Sequence, residues 1–229
     1  MTLPYNRPVD TSDANATARF HMVQQQIRPW VVQDVRVIEA LETVRREDFV
    51  PPASYELAFM DVEIPLGVAG QTMLSPKVDA RMANDLAIQA HERVLEIGTG
   101  SGYSAALLGK LAKEVVTLEI NPELAEMARE NLESAGATNV TVRVADGSKD
   151  LLAEGPFDVI VLSGSVEVLP EALLDHLKDG GRLGAIVGQS PMMRFTIVKR
   201  HGNERITTEP WDMVAPRLSG FATAERFVF

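Results

Sequence analysis

From Arg93 onward, short apolar runs alternate with amphipathic stretches. Val94–Ile97, Val115–Glu119, Val140–Val144, Val159–Leu162 and Arg182–Val187 each read as a strand. Between them, Ser104 to Leu111, Pro122 to Ala135 and Pro170 to Leu177 read as helices, the second and third opening with proline in the first turn. Strands alternating with helices predict an α/β fold, a doubly wound and mostly parallel sheet with helices on both faces. Gly180-Gly181 predicts a turn before the fifth strand. Beyond it, Arg194–Arg200 and Arg205–Pro210 flank His201-Gly202-Asn203-Glu204 and predict an antiparallel C-terminal hairpin on one edge.

The front third has a different texture. Residues 1–15 are polar and expected to be disordered. Ala16 to Trp30 predicts a helix ended by Pro29, and Asp34 an N-cap for a second helix through Thr43, with Val35, Ile38 and Leu41 at helical spacing. Met60 to Pro76 mixes short alternation with Gly67, Gly70, Pro65 and Pro76, which predicts an irregular loop with at most one strand. Lys77 to Ala90 resumes a helix. Residues 16–90 thus read as an N-terminal helical and loop extension, and residues 91–229 as a Rossmann-like domain.

Composition narrows the partners. With 229 residues, 45% hydrophobic, the chain can bury one sizeable core. A formal charge of -10 and the lack of any Lys/Arg run argue against a nucleic-acid partner. No stretch approaches the roughly 18 apolar residues that span a membrane, and a cytoplasmic protein without a membrane partner is the expectation. There is no cysteine, hence no disulfide or cysteine metal site, and His21, His91, His176 and His201 lack ligand spacing, so no metal is expected.

The chemistry concentrates at Val94-Leu95-Glu96-Ile97-Gly98-Thr99-Gly100-Ser101-Gly102-Tyr103, an apolar strand that stops at three alternating glycines. Glycines there let the backbone turn sharply and approach a ligand, toward which the next helix points unpaired N–H groups. Glu119 ends the second strand about 20 residues beyond Gly98, where an acid can accept both hydroxyls of a ribose. Asp146 of Ala145-Asp146-Gly147 follows the third strand and can accept from an exocyclic amine such as that of adenine, and Glu96 can attract a cationic amino group. A nicotinamide dinucleotide is the competitor, but its fingerprint wants glycine where Tyr103 stands. Glu96, Gly98, Thr99, Gly100, Ser101, Gly102, Glu119, Asp146 and Gly147 together suit S-adenosyl-L-methionine.

Those motifs, with Gly180-Gly181-Arg182-Leu183, resemble class I S-adenosylmethionine-dependent methyltransferases. Upstream, Met22-Val23-x-x-Gln26-Ile27, Asp34-x-Arg36-Val37, Arg46-Glu47-x-Phe49-Val50-Pro51 and Gly70-Gln71-Thr72 followed by Pro76 resemble the protein-L-isoaspartate O-methyltransferase family, and Phe157-Asp158-x-Ile160-Val161 and Pro170-Glu171-x-Leu173 continue the likeness over roughly residues 20–200. The resemblance implies methyl transfer to the free α-carboxylate of isoaspartyl residues in damaged proteins or peptides, with Thr72 and Ser75 as the acceptor-contacting residues.

The chain departs from that pattern at three places. Leu74 stands where the family usually has a serine beside the transferring methyl, with Ser75 one residue late. Ser163-Gly164-Ser165-Val166-Glu167-Val168-Leu169-Pro170 replaces a small, apolar segment, and Glu167, if it faced the pocket, would repel a carboxylate. Arg28-Pro29-Trp30 replaces an arginine-glycine pair, and Trp30 either staples the first helix to the core or lines an altered acceptor site. Beside isoaspartyl repair stand a related methyltransferase redirected to another acceptor, such as a small molecule, and a non-catalytic cofactor-binding protein.

Overall fold

The computed structural model describes residues 12–149 and 155–224. The disorder expected of residues 1–15 falls mostly outside the described residues, yet Ala14 and Asn15 are already helical. Asp13 accepts hydrogen bonds from the Asn15 and Ala16 amides and caps α1, Ala14–His21. The helix continues as a π turn, Met22–Ile27, and a 3-10 turn, Arg28–Trp30, and stops where Val31 turns left-handed at φ 63°. Asp34 caps α2, Val35–Thr43, through the Arg36 amide. Its buried stripe is Val37, Ile38, Ala40 and Leu41; Val35 faces solvent, contrary to its expected place on that stripe.

The Met60 to Pro76 segment holds two strands rather than one, β1 (Ile64–Pro65) and β2 (Thr72–Met73), paired antiparallel. The helix that follows, α3, covers Pro76–Leu86 and ends with Ala87 left-handed, short of the expected Ala90.

Seven further strands form one sheet: β3 (Arg93–Ile97), β4 (Glu114–Glu119), β5 (Val140–Val144), β6 (Phe157–Val166), β7 (Leu177–Gln189), β8 (Met192–His201) and β9 (Glu204–Asp212), ordered β5-β4-β3-β6-β7-β8-β9. The first five in that order run parallel, and β7-β8-β9 is an antiparallel meander. Sequence order reverses between β3 and β6, the switch point outside whose carboxyl ends such sheets open a crevice. Helices α4 (Tyr103–Leu111) and α5 (Pro122–Ser134) make the first crossovers.

Side chains alternate across the sheet as a pleat requires. Val94, Val115 and Val159 face a core shared with α4, α5 and the front third, including Met22, Leu41 and Phe49. Leu95, Val116 and Ile160 face a second core on the opposite side. On that side the helix expected over Pro170 to Leu177 forms only a 3-10 turn, Glu171–His176, because β7 begins at once and leaves no length for a stable α-helix. Gly180-Gly181 lies inside β7, where the register jumps between Leu177 and Arg182 against Phe157 and Val159.

The meander is tied back to the body. Trp211 stacks on Phe195 with ring centroids 4.7 Å apart and donates its indole N–H to Asp85 at 2.9 Å. Strands β5 and β9 are the two edges of the sheet, and β9 is exposed over Glu204 to Pro210. After it, the chain returns beside the end of β6: the Ser165 amide donates to the Pro216 carbonyl (2.7 Å), and the Leu218 amide donates to the Ser165 carbonyl (2.9 Å).

The front third is locked by Arg46, whose guanidinium is fully buried and donates to the carbonyls of Ala58 (2.9 Å) and Leu74 (3.0 Å), with its carbon 5.5 Å from the centroid of the Tyr103 ring. Arg46→Ala is expected to cost about 3 kcal/mol of stability, since two charge-assisted bonds go and two buried carbonyls lose their donor. Chemical denaturation with amide exchange at residues 58–74 would check this.

Candidate active site

The carboxyl ends of β3 and β4 frame a cleft of about 560 Å³. After Ile97 the chain turns through Gly98 at φ 96° and Gly100 at φ 54°, a path that side-chain-bearing residues rarely follow. Two bonds fix it: the Gly98 amide donates to the Leu118 carbonyl (2.9 Å), and the Gly100 amide donates to Glu119 Oε2 (2.9 Å). Glu119 Oε1 accepts from the Asn121 amide (3.0 Å), and Asn121 in turn caps α5. The Glu119 carboxylate is thus almost fully buried at the cleft wall, with lone pairs left for a diol. Ala145 and Gly147 form the facing wall, and a Cβ on Gly147 would lie 2.5 Å from Ile97 Cγ2.

The remaining residues of the glycine segment do other work. Glu96 is fully buried beneath the cleft; its oxygens accept from Ser163 (2.6 Å) and Thr117 (2.7 Å) hydroxyls, and burial pushes its carboxyl up to about 8. It reaches the cleft through Ser163 instead of lining it. Thr99 pairs its hydroxyl with Thr117 (2.6 Å), and the Ser101 carbonyl accepts from Asn131 (2.9 Å). Gly102 gives no ligand access, contrary to expectation. It is the N-cap of α4, and a Cβ there would stand 3.1 Å from Leu132 Cγ, so glycine serves the contact with α5. Asp146 sits just behind the cleft wall, held below its ordinary range by Lys149 (2.7 Å) and the Ser148 hydroxyl (2.6 Å).

A second cleft, about 280 Å³, opens on the other side of the glycine loop and shares Thr72, Gly98, Gly100 and Ser163 with the first. Leu74 lines it. Ser75 does not: it is the N-cap of α3, buried, its carbonyl accepting from Val78 (3.0 Å), because neighbouring residues of an extended segment point apart. Thr72 presents a hydroxyl that is buried and unpartnered, as does Tyr103. An orphaned buried hydroxyl at the junction of two clefts fits a ligand that supplies the missing partner.

The other two departures resolve differently from their sequence alternatives. Glu167 neither faces the cleft nor floats in solvent. It accepts from Gln189 (2.7 Å) and the Ala224 amide (2.8 Å) and lies 3.5 Å from Arg217, anchoring the tail. Trp30 is exposed, its ring covered by the Lys77 ammonium at 4.4 Å, so it neither staples a core nor lines either cleft.

Sequence reasoning missed five participants. Pro216, Leu218 and Phe221 wall the first cleft, and Leu218 Cδ2 lies 2.5 Å from where a Cβ of Gly98 would be. Ser163 links both clefts to Glu96. Asp79 borders the second cleft, and its signal was available: an acid among Ala80, Met82, Ala83 and Leu86 on the buried face of α3.

Glu119→Gln is expected to weaken S-adenosylmethionine binding by about 1–3 kcal/mol, measured by calorimetry, since an amide cannot accept at both atoms from the loop and the ligand together. Glu96 makes stability depend on pH. Its folded value lies above the ordinary 4.5, so the folded state holds the extra proton between about 4.5 and 8 and stability falls as pH rises through that window. Denaturation at several pH values should show a loss on the order of 1 kcal/mol per pH unit relative to Glu96→Gln.

Comparison with known proteins agrees with this geometry. The family profile described as protein-L-isoaspartate(D-aspartate) O-methyltransferase (PCMT) matches residues 17–215. The protein-L-isoaspartate O-methyltransferase of Methanoculleus marisnigri is 44% identical over 193 residues, 84% of this chain and 86% of that protein. A Marinobacter nauticus relative, protein-L-isoaspartate O-methyltransferase 2, is 46% identical over 167 residues, 73% of this chain and 76% of that protein. Among solved structures, a Plasmodium falciparum β-aspartate methyltransferase in complex with S-adenosyl-L-homocysteine superposes with a TM-score of 0.76 at 19% identity, covering 90% of this chain and 99% of the other. A second structure of a protein-L-isoaspartate O-methyltransferase gives a TM-score of 0.75 at 24% identity over 90% of this chain and 66% of the other. The chain belongs to the protein-L-isoaspartate O-methyltransferase family and is an S-adenosylmethionine-dependent methyltransferase.

Proposed function

We propose that the protein methylates the free α-carboxylate of isoaspartyl residues in damaged proteins and peptides. The observation that carries this reading is the common wall of the two clefts: Thr72, Gly98, Gly100 and Ser163 border both, so groups held on either side meet there. The sulfonium cofactor supplies an activated methyl group. An acceptor carboxylate is ionised at neutral pH and needs no base to become a nucleophile, so the chain's task is alignment and exclusion of water. Glu119 and the Gly98–Gly100 backbone fit the cofactor side. The unpartnered Thr72 hydroxyl supplies a donor at the junction, and Met73 and Leu74 keep its surroundings apolar.

A second reading, a methyltransferase redirected to another acceptor, draws on Leu74, which occupies the cleft wall at the place of the family's serine. The two separate in one assay: transfer of labelled methyl from S-adenosylmethionine to an isoaspartyl peptide beside its aspartyl twin. Base-labile label on the isoaspartyl peptide alone is expected. Cofactor binding by calorimetry with neither peptide labelled would favour the redirected enzyme. Leu74→Ser is expected to raise kcat/KM for the isoaspartyl peptide by roughly tenfold, the worth of one hydrogen bond to a charged group. An unchanged value would show that the Thr72 hydroxyl already satisfies the acceptor.

A further inference from the structure

The second cleft contains an acid that methyl transfer to a carboxylate does not call for. Asp79 sits on the first turn of α3, only 7% exposed, and borders the cleft beside Leu74, Tyr103 and Ser104. Its Oδ1 accepts from the Ser104 hydroxyl at 2.5 Å, and no described residue donates to Oδ2. Tyr103, 2% exposed, lines the same cleft, and its hydroxyl is buried without a partner. The fold therefore places a carboxyl group with an open oxygen at the second cleft, beside a Leu74 side chain that offers no polar atom.

We propose that Asp79 is a specificity residue of the acceptor site: protonated, it donates from Oδ2 to the acceptor carboxylate in place of the hydroxyl absent at residue 74, and ionised, it repels that carboxylate. This rests on the isoaspartyl reading above. Acceptor affinity then follows the protonation of a single group of the protein.

The surroundings favour the protonated form. Burial pushes Asp79 up to about 6 from its ordinary 3.8, and the Ser104 hydrogen bond and the Arg46 charge oppose the shift without cancelling it. Arg46, on the 3-10 turn Arg46–Phe49, is the nearby cation, but its guanidinium donates to the Ala58 and Leu74 carbonyls, not to Asp79. Glu96 on β3 is the other nearby acid, and each proton it keeps relieves its repulsion with Asp79. Tyr103 on α4 has its own ionisation pushed further up, so it stays a neutral donor across the range. Between pH 5 and 8, Asp79 therefore passes from mostly donor to fully charged, and acceptor affinity falls as pH rises.

The test is steady-state kinetics of the whole protein with an N-acetylated isoaspartyl peptide lacking histidine, from pH 5 to 8.5, with cofactor affinity followed by calorimetry at each pH. For the wild type, KM for the peptide is expected to rise on the order of tenfold per pH unit above the midpoint, with kcat changing far less. Asp79→Asn, which donates at every pH, is expected to hold KM near its low-pH value throughout. Ser104→Ala removes the bond that favours the charged form and is expected to move the midpoint upward. A purely structural role for Asp79 would move neither the midpoint nor the KM-against-kcat split. A wild-type KM flat across the range, or Asp79→Asn retaining the wild-type rise, overturns the proposal while leaving isoaspartyl methylation intact. No labelling of the peptide by wild type at any pH, with cofactor bound, overturns both. Should Asp79→Asn not fold, the wild-type profile and Ser104→Ala decide alone.

Discussion

The arrangement of the molecule turns on one buried cation. Arg46 carries its charge into the interior and spends its donors on the carbonyls of Ala58 and Leu74, while its guanidinium approaches the ring of Tyr103 at the start of α4. Desolvating an arginine is costly, and with its Nε buried and unpartnered Arg46 depends on the two carbonyl bonds it makes, so these partners must stay in place together. One contact therefore fixes the strand bearing Thr72 and Leu74 against the helix that follows the glycine loop. The segment through Leu74 and the start of α4 are thus referred to the same guanidinium.

Around that point the protein gathers acids and gives each a different environment. Glu119 is satisfied by two backbone amides and stays at the wall of the first cleft. Glu96 is buried deeper, with only hydroxyls to accept from, and burial dominates its titration. Asp79 is intermediate, with one hydroxyl partner and one free oxygen. Proximity of three carboxyls in a low-dielectric region raises the cost of ionising all of them at once. A cation held in the first cleft would offset part of that cost.

Much of this was legible in the chain because its signals are local. A strand that stops at Gly98 and an acid at the end of the next strand follow from neighbours in sequence. Asp34 capping α2 and the Gly202-Asn203 turn between β8 and β9 are equally local. What escaped depends on contacts across long stretches of chain. No local pattern announces that Pro216, Leu218 and Phe221 wall the first cleft, since Leu218 meets Gly98 only after the whole sheet has been laid down. Gly102 looked like a ligand glycine because the spacing cannot distinguish a backbone that meets a cofactor from one that meets Leu132. Ser75 failed for the opposite reason: the local rule that adjacent extended residues face apart already pointed it away from the cleft.

The β9 edge of the sheet carries its own consequence. Strand β9 ends the sheet with Glu204, Arg205, Glu209 and Asp212 and interrupts its donor pattern with Pro210. Charges and a proline on an edge deny the unpaired backbone to another chain. An open edge would offer its backbone donors and acceptors to any extended segment that approached it. With charges and a proline along β9, the sheet keeps extended polypeptide from adding at that side.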